Sequence, residues 1–256
     1  MINHKIFGEG IPIYFIHGNS LSLESMEVIY EPVFKNTNYM RIYIDLPGMG
    51  DSKADYTIDS SSKMIEVLLE KIDNITPHQQ FYLVGHSYGG YLSLGINLER
   101  EDNVLGLFLT CPVVNAENNK RTIEKYRNVI EDSININDEF FKDYLDMNVL
   151  INSNTWEMYQ RLIKPGIVKC DMKYIEFLGR EDNKYYKLGN ENELLNTSNR
   201  LTLVLGQYDN VVGFKDQINK VLDNNCELHL VNNAGHNLMI DDTRFLQFVA
   251  KRFWDL

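Results

Sequence analysis

A serine set between glycines is the most chemically suggestive feature of this chain. Gly85-His86-Ser87-Tyr88-Gly89 matches G-x-S-x-G. That pattern belongs to a sharp strand-to-helix turn that holds serine in strained backbone geometry with its hydroxyl exposed. The pentapeptide alone is a weak signal, and a Gly-rich turn with a solvated serine is its bland alternative. Its setting strengthens it, because an apolar run ends at Gly85 and a helical pattern opens at Tyr88. Gly85 and Gly89 leave room where a side chain would strike the neighbouring strand or helix.

A serine hydroxyl is a poor nucleophile at neutral pH, so it needs a general base, and the base needs an acid to orient it. The chain has six histidines. His4 and His78 fall in loop-like contexts, and His229 lies inside a strand pattern. His17 and His86 flank glycines in turns, where structural hydrogen bonds are the expected role. His236, in Asn232-Asn-Ala-Gly-His236, sits in a loop after the last strand pattern and before the last helix, and is the expected base. Asp209, just past Leu205-Gly206, is the expected acid, which gives the chain order Ser87, Asp209, His236. Asp241 and Asp242 read better as N-terminal caps of the final helix, and Asp45 as a residue fixing the Pro47-Gly48-Met49-Gly50 turn. Two N–H donors are needed for a tetrahedral oxyanion. The backbone of Tyr88, which follows the nucleophile, and of Asn19, in His17-Gly18-Asn19-Ser20, are the expected pair. Chemistry of this kind needs no cofactor and no metal. The three cysteines, Cys111, Cys170 and Cys226, are widely spaced and make no metal-ligand motif.

The elements that must position these residues are legible as alternating patterns. Six apolar runs read as strands: Ile11–Ile16, Tyr39–Ile44, Gln80–Val84, Val104–Leu109, Arg200–Leu205 and Glu227–Val231. Such continuous runs suit strands covered on both faces. Between them lie helical patterns at Ser22–Phe34, Asp59–Ile72, Tyr88–Leu98, Lys215–Leu222 and Thr243–Phe253. Met64, Ile65, Leu68, Leu69 and Ile72 form a stripe at helical spacing, with Asp59 or Ser60 as its N-cap. The alternation implies an α/β fold, a mostly parallel sheet with helices on both faces. It breaks after the fourth predicted strand. Residues 113–199 lack clear strands and are too long for a loop, so they read as a helical insertion, with helices at Arg121–Ile130, Glu139–Met147 and Trp156–Ile163. Residues 1–112 and 200–256 then form the core.

Composition sets the outer bounds. The chain has 256 residues, 44% hydrophobic and 24% charged, which suits one folded unit and excludes a disordered architecture. Its net charge of −11 repels phosphate backbones, so nucleic-acid binding is not expected. No run is long and apolar enough for a membrane span or a signal peptide. Few, scattered cysteines favour a reducing compartment, and a cytoplasmic protein acting on a small molecule is expected.

Together, His17-Gly18-Asn19, Asp45-Leu-Pro-Gly-Met-Gly-Asp-Ser52, Gly85-His-Ser-Tyr-Gly89, Gly206-Gln-Tyr-Asp209 and Gly235-His236 make the chain resemble the α/β-hydrolase superfamily over residues 11–111 and 200–256. The resemblance implies a triad at the carboxyl edge of the sheet and a lid formed by the insertion. Only about ten residues precede the first parallel strand, so one of the usual N-terminal antiparallel strands is expected to be missing. Ser87 argues against the dehalogenase and epoxide-hydrolase branches, which use Asp. Among the serine branches, a carboxylesterase acting on small or medium apolar acyl groups through an acyl-enzyme is the expectation. The alternatives are an aminopeptidase of the proline iminopeptidase kind, for which Glu139 and Glu157 are candidate holders of an amino terminus, and a non-catalytic small-molecule receptor on a hydrolase scaffold. In the lid, Phe140, Phe141, Tyr144, Trp156 and Tyr159 recur at helical spacings. Packing is their commoner role, and Tyr144 and Trp156 are the candidate substrate contacts.

Overall fold

A computed structural model describes residues 2–221 and 226–256. The strands are β1 (His4–Phe7), β2 (Ile11–Ile16), β3 (Tyr39–Ile44), β4 (Phe81–His86), β5 (Val104–Thr110), β6 (Val129–Ile130), β7 (Leu150–Ile151), β8 (Arg200–Gly206) and β9 (Cys226–Val231). The helices are α1 (Leu23–Tyr30), α2 (Ser61–Ile75), α3 (Tyr88–Glu99), α4 (Phe141–Met147), α5 (Ser153–Leu162), α6 (Lys164–Lys169), α7 (Met172–Leu178), the irregular turn α8 (Arg180–Asn183), α9 (Lys215–Val221), α10 (Leu238–Asp241) and α11 (Thr243–Phe253).

Seven strands form one sheet in the order β1-β3-β2-β4-β5-β8-β9. Among the described residues only β1 is antiparallel to its neighbour. β1 is thus a single antiparallel edge strand among the described residues. From β2 the chain moves outward to β3, then crosses back to β4 on the other side of β2. This reversal is a topological switch point, where the carboxyl ends of β2 and β4 diverge and open a crevice. Right-handed crossovers on the two sides of such a point put their helices on opposite faces.

Alternate residues of β2 show why both faces are closed. Tyr14 packs edge-on to Phe81, and its hydroxyl bonds Thr76 Oγ1 beyond α2 at 2.6 Å. Phe15 points the other way, stacked on Tyr43 at 4.3 Å and packed on Tyr30 and Phe34. Trp254, just after α11, closes that face against Phe34 and Phe108. The predicted stripe of α2 is buried at all five positions, and Ser60 is its N-cap, accepting from Lys63 N. Asp242 caps α11 by accepting from Phe245 N at 3.0 Å.

Several boundaries differ from the sequence reading. The first predicted helix ends at Tyr30, and the chain reaches Phe34 through tight turns. The helix expected to end at Leu222 is described only to Val221, because residues 222–225 lie outside the described segment. The largest correction is Arg121–Ile130, which is extended rather than helical. Its polar groups find partners far along the chain. Thr122 N donates to Asp216 Oδ2 at 2.8 Å, the Tyr126 hydroxyl donates to Asn148 O at 2.6 Å, and Val129 N donates to Val149 O at 2.7 Å. These bonds replace the internal ladder that a helix would need. Residues 113–199 otherwise hold the helices α4 to α7 and the small parallel pair β6–β7.

Candidate active site

Ser87 stands between β4 and α3 with φ 52° and ψ −117°, a conformation that L-residues avoid and that persists only where the surroundings enforce it. The enforcement is visible. Ser87 N donates to Thr110 O, and its own carbonyl accepts from Val113 N and Tyr91 N. A Cβ on Gly89 would lie 2.0 Å from Ile16 O, and one on Gly85 would lie 2.6 Å from Gly90 Cα. Backbone passes too close at both points for any side chain.

The structure brings the three expected residues into line. His236 Nε2 lies 2.9 Å from Ser87 Oγ, and His236 Nδ1 lies 2.8 Å from Asp209 Oδ2. Asp209 is fully buried. Its other oxygen, Oδ1, accepts from Val211 N and Val212 N, both at 2.9 Å. Burial by itself would push this carboxyl up. The His236 ring, by charge and hydrogen bond, and the Val212 and Val211 N–H groups outweigh burial and hold it below the usual carboxylate range.

His17 and His86 are held in structural roles. His17 Nδ1 bonds Gly18 O at 2.7 Å, while its Nε2 accepts from Leu46 N at 3.0 Å, and burial lowers its pKa. His86, bonded to Thr110 Oγ1, is pushed down to about 3 by burial and by the neighbouring His236. Both rings stay neutral at physiological pH. Asp45 accepts from Leu23 N, Asp51 N and the Asn3 side chain, so it fixes the turn after β3.

Asp241 is a correction. Asp242 alone caps the last helix; Asp241 lies buried at the end of α10 and accepts from Gly235 N at 2.8 Å, Leu150 N at 3.0 Å and Val149 N at 3.2 Å. It thereby ties the His236 loop to β7. Burial pushes its pKa up to about 6, with those three N–H groups pulling the other way.

Cys111, Asp209 and His236 offer ligand atoms within 4.8 Å of one another. This set suits a metal poorly. Asp209 and His236 already bond each other, and burial, with the Asp209 charge adding, keeps the Cys111 thiol protonated.

Asn19 lies at the carboxyl end of β2 and Tyr88 opens α3, so both flank Ser87 across the switch point. Neither backbone N–H has an internal partner among the described residues. The Asn19 side chain is turned away to Tyr186 Oη at 2.9 Å.

A cavity with two arms meets at Ser87. One arm, about 270 Å³, is walled mainly by Leu21, Met147, Ile163, Ile167 and Met172, with Asp143 also on its lining. The other, about 230 Å³, is the more polar of the two and carries Asn118, Arg121, Asn183 and Tyr186 beside Val113, Val211 and Val212. Asn19, Ser87, Met147 and His236 line both arms. A cleft of about 440 Å³ near Asp73, His78 and Arg100 holds none of these groups. The expectation for Tyr144 and Trp156 is corrected: neither lines the cavity among the described residues. Tyr144 is fully buried, its hydroxyl bonded to Thr155 Oγ1, in a cluster with Phe141, Trp156 and Tyr159. The rings stand on α4 and α5 and pack on one another within the insertion, whereas the cavity is reached by Met147 at the end of α4 and Ile167 on α6. Glu139 and Glu157 are exposed on its surface. Sequence reasoning missed the actual lining residues, including Arg121, which no local pattern marks.

A family model described as the alpha/beta hydrolase fold matches residues 11–243. No curated protein sequence gives a significant match. Among solved structures, an alpha/beta superfamily hydrolase from Oenococcus oeni PSU-1 is 40% identical, with TM-score 0.94, covering 99% of this chain and 95% of its own. An esterase from Exiguobacterium antarcticum superposes with TM-score 0.72 at 16% identity, covering 100% of this chain and 96% of that one. A meta-cleavage product hydrolase from Pseudomonas fluorescens IP01 does so with TM-score 0.73 at 15% identity, covering 99% and 94%. The sheet order, the strained serine turn and the extent of these matches agree, and the chain belongs to the α/β-hydrolase fold family.

Proposed function

We propose that the protein is a serine hydrolase that cleaves carboxylic esters of small or medium apolar character through an acyl-enzyme. The observation that carries this reading is the unbroken line Ser87 Oγ, His236 Nε2, His236 Nδ1 and Asp209 Oδ2 at 2.9 and 2.8 Å, set beside two N–H groups without an internal partner among the described residues and a mainly apolar cavity arm.

The chemistry follows from that line. Ser87 Oγ attacks the ester carbonyl carbon while His236 Nε2 takes its proton. Asp209 holds the ring in the tautomer with hydrogen on Nδ1 and stabilises its charged form. The carbonyl oxygen, now an anion, accepts from Asn19 N and Tyr88 N. Collapse breaks the bond to the alcohol, which leaves with the proton from His236 Nε2. Water then attacks the acyl carbon, again giving its proton to His236, and Ser87 is restored as the acid departs. Residues 113–199 act in this reading as a lid, since Met147, Ile163, Ile167 and Met172 wall the arm beside the serine. The substrate is accordingly a small molecule, and the three free thiols suit a cytoplasmic setting.

The test is covalent labelling by a fluorophosphonate probe, with the adduct on Ser87 and none in Ser87→Ala. A panel of aryl esters and aminoacyl arylamides follows. Preference for the arylamides would favour the aminopeptidase reading, for which the exposed Glu139 and Glu157 offer no support. Labelling without turnover of any compound would favour the receptor reading.

A further inference from the structure

The polar arm of the cavity has a surplus of hydrogen-bond donors. Arg121 carries five N–H groups in a fixed fork. Nε donates to Asn115 O at 2.9 Å, Nη2 to Ala116 O at 2.9 Å and Nη1 to Val211 O at 3.2 Å. All three partners are backbone carbonyls, so two N–H groups remain and none of these bonds supplies a countercharge. Among the described residues no carboxylate lies within 4.0 Å of the guanidinium. The contrast with Arg41 is instructive: that buried arginine is gripped by both oxygens of Glu31, at 3.1 and 2.8 Å.

A second donor faces the same space. The Tyr186 hydroxyl accepts from Asn19 Nδ2, which leaves its own hydrogen without an internal acceptor among the described residues. Both groups line the arm that opens on Ser87. Burial lowers the Arg121 pKa, with the charges of Asp209, Asp182 and Glu191 opposing, yet a guanidinium stays charged in proteins. In a chain of net charge −11, an unpaired cation held in a cavity beside the candidate nucleophile is a selective feature.

We propose that Arg121, with Tyr186, receives a carboxylate carried by the substrate, so that the preferred esters are apolar on one side of the scissile bond and anionic on the other. The inference rests on the esterase reading and narrows it. A carboxylate matches a planar fork of N–H donors and supplies the missing countercharge. It could belong to the acid part or to the alcohol part of the ester, and the two placements are separable.

Two matched pairs of esters test it. Monobutyl succinate against butyl pentanoate places the charge on the acid side. 3-Butanoyloxypropanoate against butyl butanoate places it on the alcohol side. We expect wild-type kcat/KM to favour the charged member of one pair by about 10-fold or more, and Arg121→Gln to lower that preference by about 10- to 100-fold. Arg121→Lys should retain part of it. Because Arg121 also holds Val211 O beside Asp209, its loss can slow all substrates, and the ratio within a pair removes that shared effect. Calorimetry on Ser87→Ala measures binding of the same compounds without turnover. An unaltered ratio in Arg121→Gln, or neither charged ester preferred by the wild type, overturns the carboxylate site even if neutral esters turn over briskly. Arg121-dependent binding of a charged ester, with no hydrolysis of any ester, would retain the anion site and sink the esterase reading instead.

Discussion

Replacing Asp209 by Asn changes one atom and should disable the enzyme, and the two oxygens of Asp209 show why. Oδ1 accepts two backbone N–H bonds, from Val211 and Val212, while Oδ2 accepts from His236 Nδ1. An asparagine can keep its carbonyl oxygen on only one side. If the oxygen stays with Val211 and Val212, the amide NH₂ faces Nδ1, and the ring must carry its hydrogen on Nε2. That tautomer cannot accept the Ser87 proton. If the amide flips, the ring recovers its acceptor but two buried N–H groups are left facing an NH₂. Each such loss costs about 1–3 kcal/mol, so the flip costs about 2–6 kcal/mol in all. At 1.36 kcal/mol per decade, the competent form falls by about 30-fold to 10⁴-fold, and the upper end matches the roughly 10⁴-fold loss in the serine-protease precedent. The assay is kcat/KM with 4-nitrophenyl butanoate, checked by circular dichroism to show that the variant folds. A folded Asp209→Asn retaining more than about a tenth of wild-type activity would refute the argument, and the acid would have to be sought elsewhere.

Gly89→Ala should destabilise the protein by about 3 kcal/mol, or about 6–12 °C in melting temperature, because the new Cβ would meet Ile16 O at 2.0 Å; a melting curve within 2 °C of wild type would contradict that packing. Met147→Ala and Ile163→Ala widen the apolar arm and should shift the preferred ester by about one or two carbons, a change near the volume of the lost side-chain atoms. Trp156→Phe, away from the cavity, should leave the chain-length profile as it is, and the reverse pattern would reinstate the aromatics as substrate contacts. Asp241 has a folded pKa raised from 3.8 to about 6, so its contribution to stability is fully present below about 4 and is lost as pH rises through about 6, on the order of 3 kcal/mol across the window. Urea unfolding of wild type and Asp241→Asn should therefore give a stability difference that changes between about pH 4 and 6, and a constant difference would remove Asp241 as its source.

Local features made the candidate reactive centre readable in advance. The turn at Ser87 needs glycine where backbone passes within contact distance, so it leaves Gly85 and Gly89 in the sequence. Strands covered on both faces must be apolar throughout, so β2 to β5 and β8 announced themselves, and the candidate triad residues stand at their carboxyl ends or in the loop after β9. Chain order then needed no contact information. What surrounds that centre was decided elsewhere. Arg121–Ile130 has a helix-compatible pattern, but its polar groups are satisfied by Asp216, Asn148 and Val149, which lie too far along the chain for any local rule to weigh. Asp241 looks like a helix cap from its neighbours, and only the approach of Gly235, Val149 and Leu150 makes it a buried acceptor. Tyr144 and Trp156 share their periodicity with any amphipathic helix, and periodicity says that one face is buried without saying against what. The sequence by itself determined the candidate nucleophile, the residues proposed as its partners and the sheet that carries them. The tertiary structure alone decided which side chains wall the cavity and left the charge of Arg121 facing it, because those choices depend on how distant segments satisfy one another's hydrogen bonds.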